Sequence, residues 1–189
     1  GGVDLVGAMR VCEELSRADA SVGWTVMIGA GAWRDLASLP RATFDALYAG
    51  GPDAFIGGAF SPSGAAVPVE GGYRVSGRWA FASCCQHCHW LYGNCIEEHG
   101  GVFRMRTVLF SPAEIEIEDT WSVSGLCGTG SHHFRADNVL VPAARTFLTL
   151  SDPPCLDEPL VQIPPPPLYA LAIASVAVGI AQGALEDIL

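Results

Sequence analysis

Positive charge is scarce in this sequence. Only ten of its 189 residues are Lys or Arg, against twenty Asp and Glu, and the formal net charge is −10. Nucleic acid and anionic membrane both demand basic patches that neutralise phosphate, so neither is an expected partner. Charge of either sign is low, at 16% of residues, while 50% are hydrophobic. Such a chain buries a real core, as one domain or two small ones. Residues 1–20 do not read as a secretory leader, because Asp4, Arg10, Glu13, Glu14 and Arg17 interrupt them. The longest apolar run, Leu168 to Ala181, falls short of the ~20 residues of a bilayer span and is expected as a buried helix. Cysteine is plentiful, but its seven members (Cys12, Cys84, Cys85, Cys88, Cys95, Cys127, Cys155) are odd in number and unevenly spaced. They are expected as reduced thiols of a cytoplasmic protein.

The most informative stretch runs from Gly71 to Cys95, GGYRVSGRWAFASCCQHCHWLYGNC. After a Gly-Gly turn, Tyr73, Val75, Trp79 and Phe81 alternate with Arg74, Ser76, Arg78 and Ala80. That period of two predicts a strand with Tyr73, Val75, Trp79 and Phe81 on its buried side, ending at Ala82-Ser83. A second strand is expected over His89 to Ile96. Aromatic rings and a small hydroxyl beside soft, titratable groups make a plausible wall for a flat, redox-active ligand. Cys84, Cys85, His87, Cys88, His89, Cys95 and His99 are also zinc-type ligands. All seven fall within sixteen positions, without the long loop between paired knuckles, and strand alternation sends neighbours to opposite faces. No metal site is expected.

Val3 to Asp19 predicts an amphipathic helix, with Leu5, Ala8, Met9, Cys12 and Leu15 at helical spacing. Ser21 to Ala37 is apolar nearly all round, as a buried helix is. A short third helix starts at Pro40 and stops at Gly50-Gly51. A short strand at Ala54 to Ile56 is expected to lead into a Gly- and Pro-punctuated loop, Gly57 to Ala66. Strands are expected at Val102 to Phe110 and at the alternating Glu114 to Glu118. Ser151 to Pro167 is a Pro-rich connector that is expected to be neither helix nor inner strand. Leu168 to Leu189 predicts a helix whose many small residues suit close helix contact.

GGYRVSGRWAFASC followed by HCHW resembles the middle-domain strand of reductase-dependent flavin monooxygenases with the acyl-CoA dehydrogenase fold. The SVGW at 21–24, the segment from Trp121 to Phe147 with its Gly-Thr-Gly-Ser turn, and GIAQGALEDIL resemble further parts of that superfamily. The Gly-Thr-Gly-Ser turn lacks the Lys of a P-loop and the spacing of a dinucleotide fingerprint. The resemblance implies an α+β fold. Its parts are the end of an N-terminal helical domain at 1–50, a middle antiparallel β-barrel domain at 51–147, and a linker with the first helix of a C-terminal bundle at 148–189. It further implies that the chain is the middle portion of a longer protein and part of a homotetramer. Its cofactor would be reduced flavin, FMN or FAD, delivered by a separate flavin reductase. One atom of O2 would be transferred to a small aromatic or amine substrate.

Residue by residue, the resemblance places Trp24 near the flavin and the backbone of Gly58, Ala59, Phe60 and Ser61 against its polar edge. Phe81 would lie on the ring, with Ala82 beside it, and Ser83 would accept a hydrogen bond from N5–H. His87 is a candidate general acid or base toward substrate. The substrate-facing histidine some relatives carry is replaced by Ala32, and the arginine usual before the Gly-Thr-Gly-Ser turn is Cys127. Two other readings share the sequence. One is an acyl-CoA dehydrogenase proper, although its usual Trp two residues before the hydroxyl is Phe81 here. The other is a truncated, non-catalytic relative.

Overall fold

A computed structural model describes residues 4–189. The chain forms two compact units, the first from residues 1–31, 122–129 and 157–189, the second from residues 32–121 and 130–156.

The first unit is helical. Helix α1 (Leu5–Ala18) starts where Asp4 accepts a hydrogen bond from the Gly7 amide at 2.7 Å. Val3, where the sequence suggested the helix begins, lies outside the described residues. Helix α2 (Ala20–Leu36) follows after Asp19, and its residues up to 31 belong to this unit. Helix α4 (Pro165–Glu186) lies along α1, and small residues set the spacing. A Cβ at Gly179 would run into the Glu13 carbonyl, and one at Gly183 into the Arg17 carbonyl. Gly23 of α2 meets Ser16 of α1 in the same way. Gln182 donates to Glu13 and Arg17 to Glu186, each at 2.8 Å, tying the two helices along their length.

Two expectations about α4 need correcting. Pro165, Pro166 and Pro167 were assigned to a connector, yet they form its first turn. The first amides of a helix have no intrahelical acceptor, so proline costs little there. Nor is α4 buried within this chain. Only Ser175, Val176 and Gly179 are, while Leu171, Ile173, Val178 and Leu185 are exposed. With its prolines the helix reaches 22 residues, long and apolar enough to cross a membrane by length and composition alone.

The second unit is built on one sheet of seven strands in the order β5-β6-β2-β1-β3-β4-β7. These are β1 (Ile56–Val69), β2 (Gly72–Ala82), β3 (Trp90–His99), β4 (Val102–Phe110), β5 (Glu116–Glu118), β6 (His132–Pro142) and β7 (Thr146–Leu148). The sheet is mixed, because β1 and β3 run parallel, rather than purely antiparallel. It curls strongly. Phe110 of β4 and Phe134 of β6 are far apart in strand order, yet their rings lie 6.2 Å apart in the core. The short helix α3 (Arg41–Leu47) packs through Phe44 and Leu47 on a second core around Leu36, Leu39, Ile56 and Leu109.

The Gly57–Ala66 stretch is not a loop. It is the first two-thirds of β1, which pairs with β3 from Ile56 to Ala59 and resumes at Pro62 after a shift of register. Its glycines are there for contact. A Cβ at Gly58 would overlap Tyr92, and one at Gly64 would overlap the Trp79 indole. Gly77 and Gly93 meet the same indole, with a Cβ only 2.7 Å from its ring atoms. Trp79 is fully buried, stacks on Phe134 at 4.9 Å, and donates its Nε1–H to the Asn94 carbonyl at 2.8 Å.

This packing predicts that Gly93→Ala destabilises the protein by about 1–3 kcal/mol, because the indole has no free side to move toward. Chemical denaturation followed by tryptophan fluorescence measures it. An unchanged midpoint would show that the indole is not held against β3.

Candidate functional site

Strands β1 and β2 are hydrogen-bonded from Val69–Gly72 to Gly64–Gly77 and then part. Beyond that point β1 continues on β3 and β2 on β6, which leaves a fork. Residues 57–62 lie on one prong and 78–83 on the other. The Trp79 indole, against Gly64, Gly77 and Gly93, fills its base. Asn94 braces the same place: its Nδ2 donates to the Phe60 carbonyl at 2.7 Å, and its Oδ1 accepts from Thr107 at 2.7 Å.

The alternation of β2 holds through Val75 and Trp79 and then fails. Phe81 was expected inward, but it is 66% exposed, while Ala82 is buried completely. The cause is backbone. Phe81 has φ +63°, and the β2–β6 register slips between Trp79 and Ala82. Cys84, with φ +59°, follows in the same rare conformation. The turned-out Phe81 ring meets the Trp121 ring edge-on at 6.2 Å and the His133 ring edge-on at 5.7 Å. The His133 Nδ1 is buried without a hydrogen-bond partner.

Ser83 is 4% exposed, and its Oγ lies 2.9 Å from Oγ of Ser131, equally buried. The two serines face each other one residue beyond the last β2–β6 pair, Ala82 with His132. Next to them the Cys85 thiol donates to the Gly130 carbonyl at 3.6 Å. His132 is structural. Its Nδ1 accepts from the amides of Thr120 and Trp121 at 3.1 and 3.2 Å, so its proton sits on Nε2. Asp119 lies 3.4 Å from that same nitrogen, which has no proton to offer it, so the contact is not an ion pair. This anchor holds Trp121 beside Phe81.

The remaining predicted residues spread out. Gly58, Ala59, Phe60 and Ser61 lie on the β1 prong, with Ala59 buried and the Phe60 ring 45% exposed. His87 ends an exposed turn after Cys84, whereas His133 is the histidine on the Phe81 ring. Trp24 belongs to the first compact unit and packs there against Cys12, Met27 and Val176. The sequence reasoning missed Trp121, Ser131 and His133. Pairing β2 with the strand after the Gly-Thr-Gly-Ser turn would have brought Ser131 opposite Ser83. An apolar cleft of about 500 Å³ between Trp33, Phe44, Tyr48, Gly51 and Pro52 contains none of the predicted site residues.

All seven cysteines are free thiols. Among the described residues, no group of three or more His, Cys, Asp or Glu side chains is arranged to hold a metal ion. His89, one of the zinc-type ligands, instead closes the start of β3 on the chain before β1: its Nδ1 accepts from the Phe55 amide at 3.1 Å. Burial pushes the Cys88 and Cys95 thiols up to about 12.

No family model matches the chain. Over 184 residues it is 39% identical to the indole-3-acetate monooxygenase of Acinetobacter baumannii, covering 94% of this chain and 46% of that protein. It is 36% identical to the oxygenase component of the FADH2-dependent resorcinol hydroxylase of a Rhizobium species, over 91% of this chain and 44% of that protein. Among solved structures, the 3-HSA hydroxylase of a Rhodococcus species superposes with a TM-score of 0.87 at 27% identity, over 94% of this chain and 48% of that one. XiaF from a Streptomyces species, solved with FADH2 and glycerol, superposes at 0.77 with 28% identity, over 97% and 46%. The chain thus spans about half the length of the curated relatives it matches. The architecture is the α+β fold of acyl-CoA-dehydrogenase-like proteins. Within that fold, the sequence is similar to the oxygenase components of flavin-dependent monooxygenases over about half of their length.

The buried thiols give the site region a checkable alkaline response. In the unfolded chain Cys88 and Cys95 titrate at about 8.5. Their folded values are raised, so the stability they contribute is complete below that pH and is lost as pH climbs toward 12. At pH 9 iodoacetamide is expected to alkylate exposed Cys127 and to spare Cys88 and Cys95 until denaturant is added. Peptide mass spectrometry reads the outcome. Cys88 labelled as fast as Cys127 in native protein would overturn its burial.

Proposed function

We propose that this chain carries the flavin-holding β domain of a monooxygenase oxygenase component. The parent protein takes reduced flavin, as FMN or FAD, from a separate reductase and places one atom of O2 on a small aromatic or amine substrate. The observation that supports this best is the end of β2, where an exposed aromatic ring at Phe81 stands two residues from a buried hydroxyl at Ser83. A flat ring system with one polar reactive position needs that pair. The names of the relatives point the same way.

The residues present fit such a group. Phe81 offers an open ring that Trp121 and His133 hold edge-on. The β1 prong offers backbone at Gly58, Ala59, Phe60 and Ser61, beside a residue without a Cβ. Bound reduced flavin supplies the electrons and the reaction with O2. The protein's own part is to orient the ring, keep water away and settle one proton. Ser83 Oγ would do the last of these by accepting from the ring's N5–H. His87, exposed on its turn, would serve substrate rather than flavin. We further assign the parent protein a homotetrameric, cytoplasmic state, with domain boundaries near 50/51 and 147/148.

The test uses the protein expressed from its full reading frame. Anaerobic titration with reduced FMN and reduced FAD should show saturable binding of at least one. Ser83→Ala should keep that affinity within about threefold while product per flavin oxidised falls about tenfold or more and hydrogen peroxide rises to match. Unchanged coupling in the variant would remove Ser83 from the chemistry. Absence of flavin binding by the unaltered protein would refute the enzyme reading.

A further inference from the structure

The β1 prong carries a break in its pairing that the Asn94 side chain spans. Strand β1 pairs with β3 at Ala59–Gly93 and next at Pro62–Asn94, so Phe60 and Ser61 fall between two consecutive rungs. On its other side, β1 is joined by β2 only from Gly64–Gly77 onward. A bulge of this kind turns backbone groups out of the ladder, and this one lies where the flavin reading needs backbone.

Asn94 is buried, and its amide can face only one way. A main-chain carbonyl accepts and never donates. Whatever else Phe60 touches, the Asn94 atom 2.7 Å from its oxygen is therefore the Nδ2 donor. That leaves Oδ1 toward buried Thr107, whose hydroxyl donates to it at 2.7 Å. A hydroxyl has a single proton, so Thr149, with its oxygen 2.6 Å from that of Thr107, is the donor in that pair. Donation thus runs one way, from Thr149 through Thr107 and Asn94 to the Phe60 carbonyl. The Asn94 backbone is pinned too, because its carbonyl takes the Trp79 Nε1–H at 2.8 Å.

The peptide bond after Phe60 is trans and planar, so the Ser61 N–H points opposite to the Phe60 C=O. With the carbonyl held toward β3, that N–H points to the side that β2 has left, into the fork. The next residue, Pro62, has no N–H to offer. The polar edge of a flavin carries two carbonyl oxygens that accept. We propose that Asn94 is a positioning residue that, by holding the Phe60 carbonyl, aims the Ser61 N–H at one of them. The inference rests on the flavin reading above and adds Asn94 and Thr107, which lie outside that reading's site.

The experiment uses the protein from its full reading frame, with FMN and FAD labelled with 13C at both carbonyl carbons. Dissociation constants come from anaerobic and aerobic titration, carbonyl shifts from NMR, and deuterium exchange at Ser61 from peptide mass spectrometry. In the unaltered protein, flavin should slow exchange at Ser61. Asn94→Ala should weaken flavin about fivefold to tenfold, move one carbonyl shift toward its value without a hydrogen bond, and abolish the protection of Ser61. Thr107→Val, which keeps the shape and loses the donor, should move all three readouts part of the way. Thr107→Ser, which keeps the hydroxyl, should leave them unmoved. Combining Thr107→Val with Asn94→Ala should add nothing to Asn94→Ala. Weaker binding with unmoved carbonyl shifts would reduce Asn94 to packing and overturn the inference, as would unchanged affinity or exchange at Ser61 that flavin does not slow. Each of these leaves the flavin reading intact. If the unaltered protein binds neither flavin, both fall together. Melting temperatures separate lost folding from lost aim, and Thr107→Val against Thr107→Ser carries the test if Asn94→Ala does not fold.

Discussion

The fork exists because one indole occupies its base. Trp79 is completely buried, and three backbones approach it at glycines 64, 77 and 93, on three different strands. Side chains at those positions would close the space, so the ring and the glycines require each other. A buried tryptophan also needs an acceptor for its N–H, and here it is the Asn94 carbonyl. The side chain of Asn94 then reaches across to the Phe60 carbonyl, and Thr107 satisfies its other end. One ring thereby fixes where β1 leaves β2, why β1 runs along β3, and which way the β1 prong directs its carbonyl. Every polar group in that chain is paired, as a buried network must be if it is to rigidify rather than weaken the core.

On the other prong the constraint is conformational. Phe81 and Cys84 both adopt positive φ, at about 1–3 kcal/mol each for residues that carry a Cβ. Strain of that size persists only where the surroundings over-determine it. Here Ser83 and His87 close two turns with backbone hydrogen bonds to Phe81 and Cys84, and Ser131 takes the side chain of Ser83. The strained turn reverses the inside–outside parity of the strand. Without it, Phe81 would sit in the core with Trp79, and the prong would present Ala82 instead of a ring.

That reversal also explains what the sequence could and could not tell. The β4 strand is legible to the residue, because apolar β-formers and flanking glycines agree. The buried face of β2 is legible as far as Trp79. The flip at Phe81 is not, since nothing in Trp-Ala-Phe-Ala-Ser-Cys signals a positive φ, which phenylalanine seldom adopts. Gly57–Ala66 looked like a loop because glycine and proline usually punctuate loops. In this fold those residues answer to Tyr92 and Trp79, which are distant in sequence. Ser131, Trp121 and His133 were hidden for a similar reason. They join the site only through the pairing of β2 with β6 and the His132 anchor, and neither long-range register nor a side-chain acceptor is written in a local pattern.

Burial is what sets Ser83 and Ser131 apart from ordinary surface hydroxyls. A hydroxyl in water finds a donor or an acceptor whichever way it turns, and its orientation carries no free energy worth tracking. Ser83 and Ser131 lack that freedom, because Ala82, Cys85 and Phe134 around this strand end are closed to solvent. The same argument separates Ser83 from exposed His87, whose ring solvent can reach. The corner's chemistry therefore depends less on which polar residue types it holds than on which of them the Trp79 packing and the Phe81 turn keep dry.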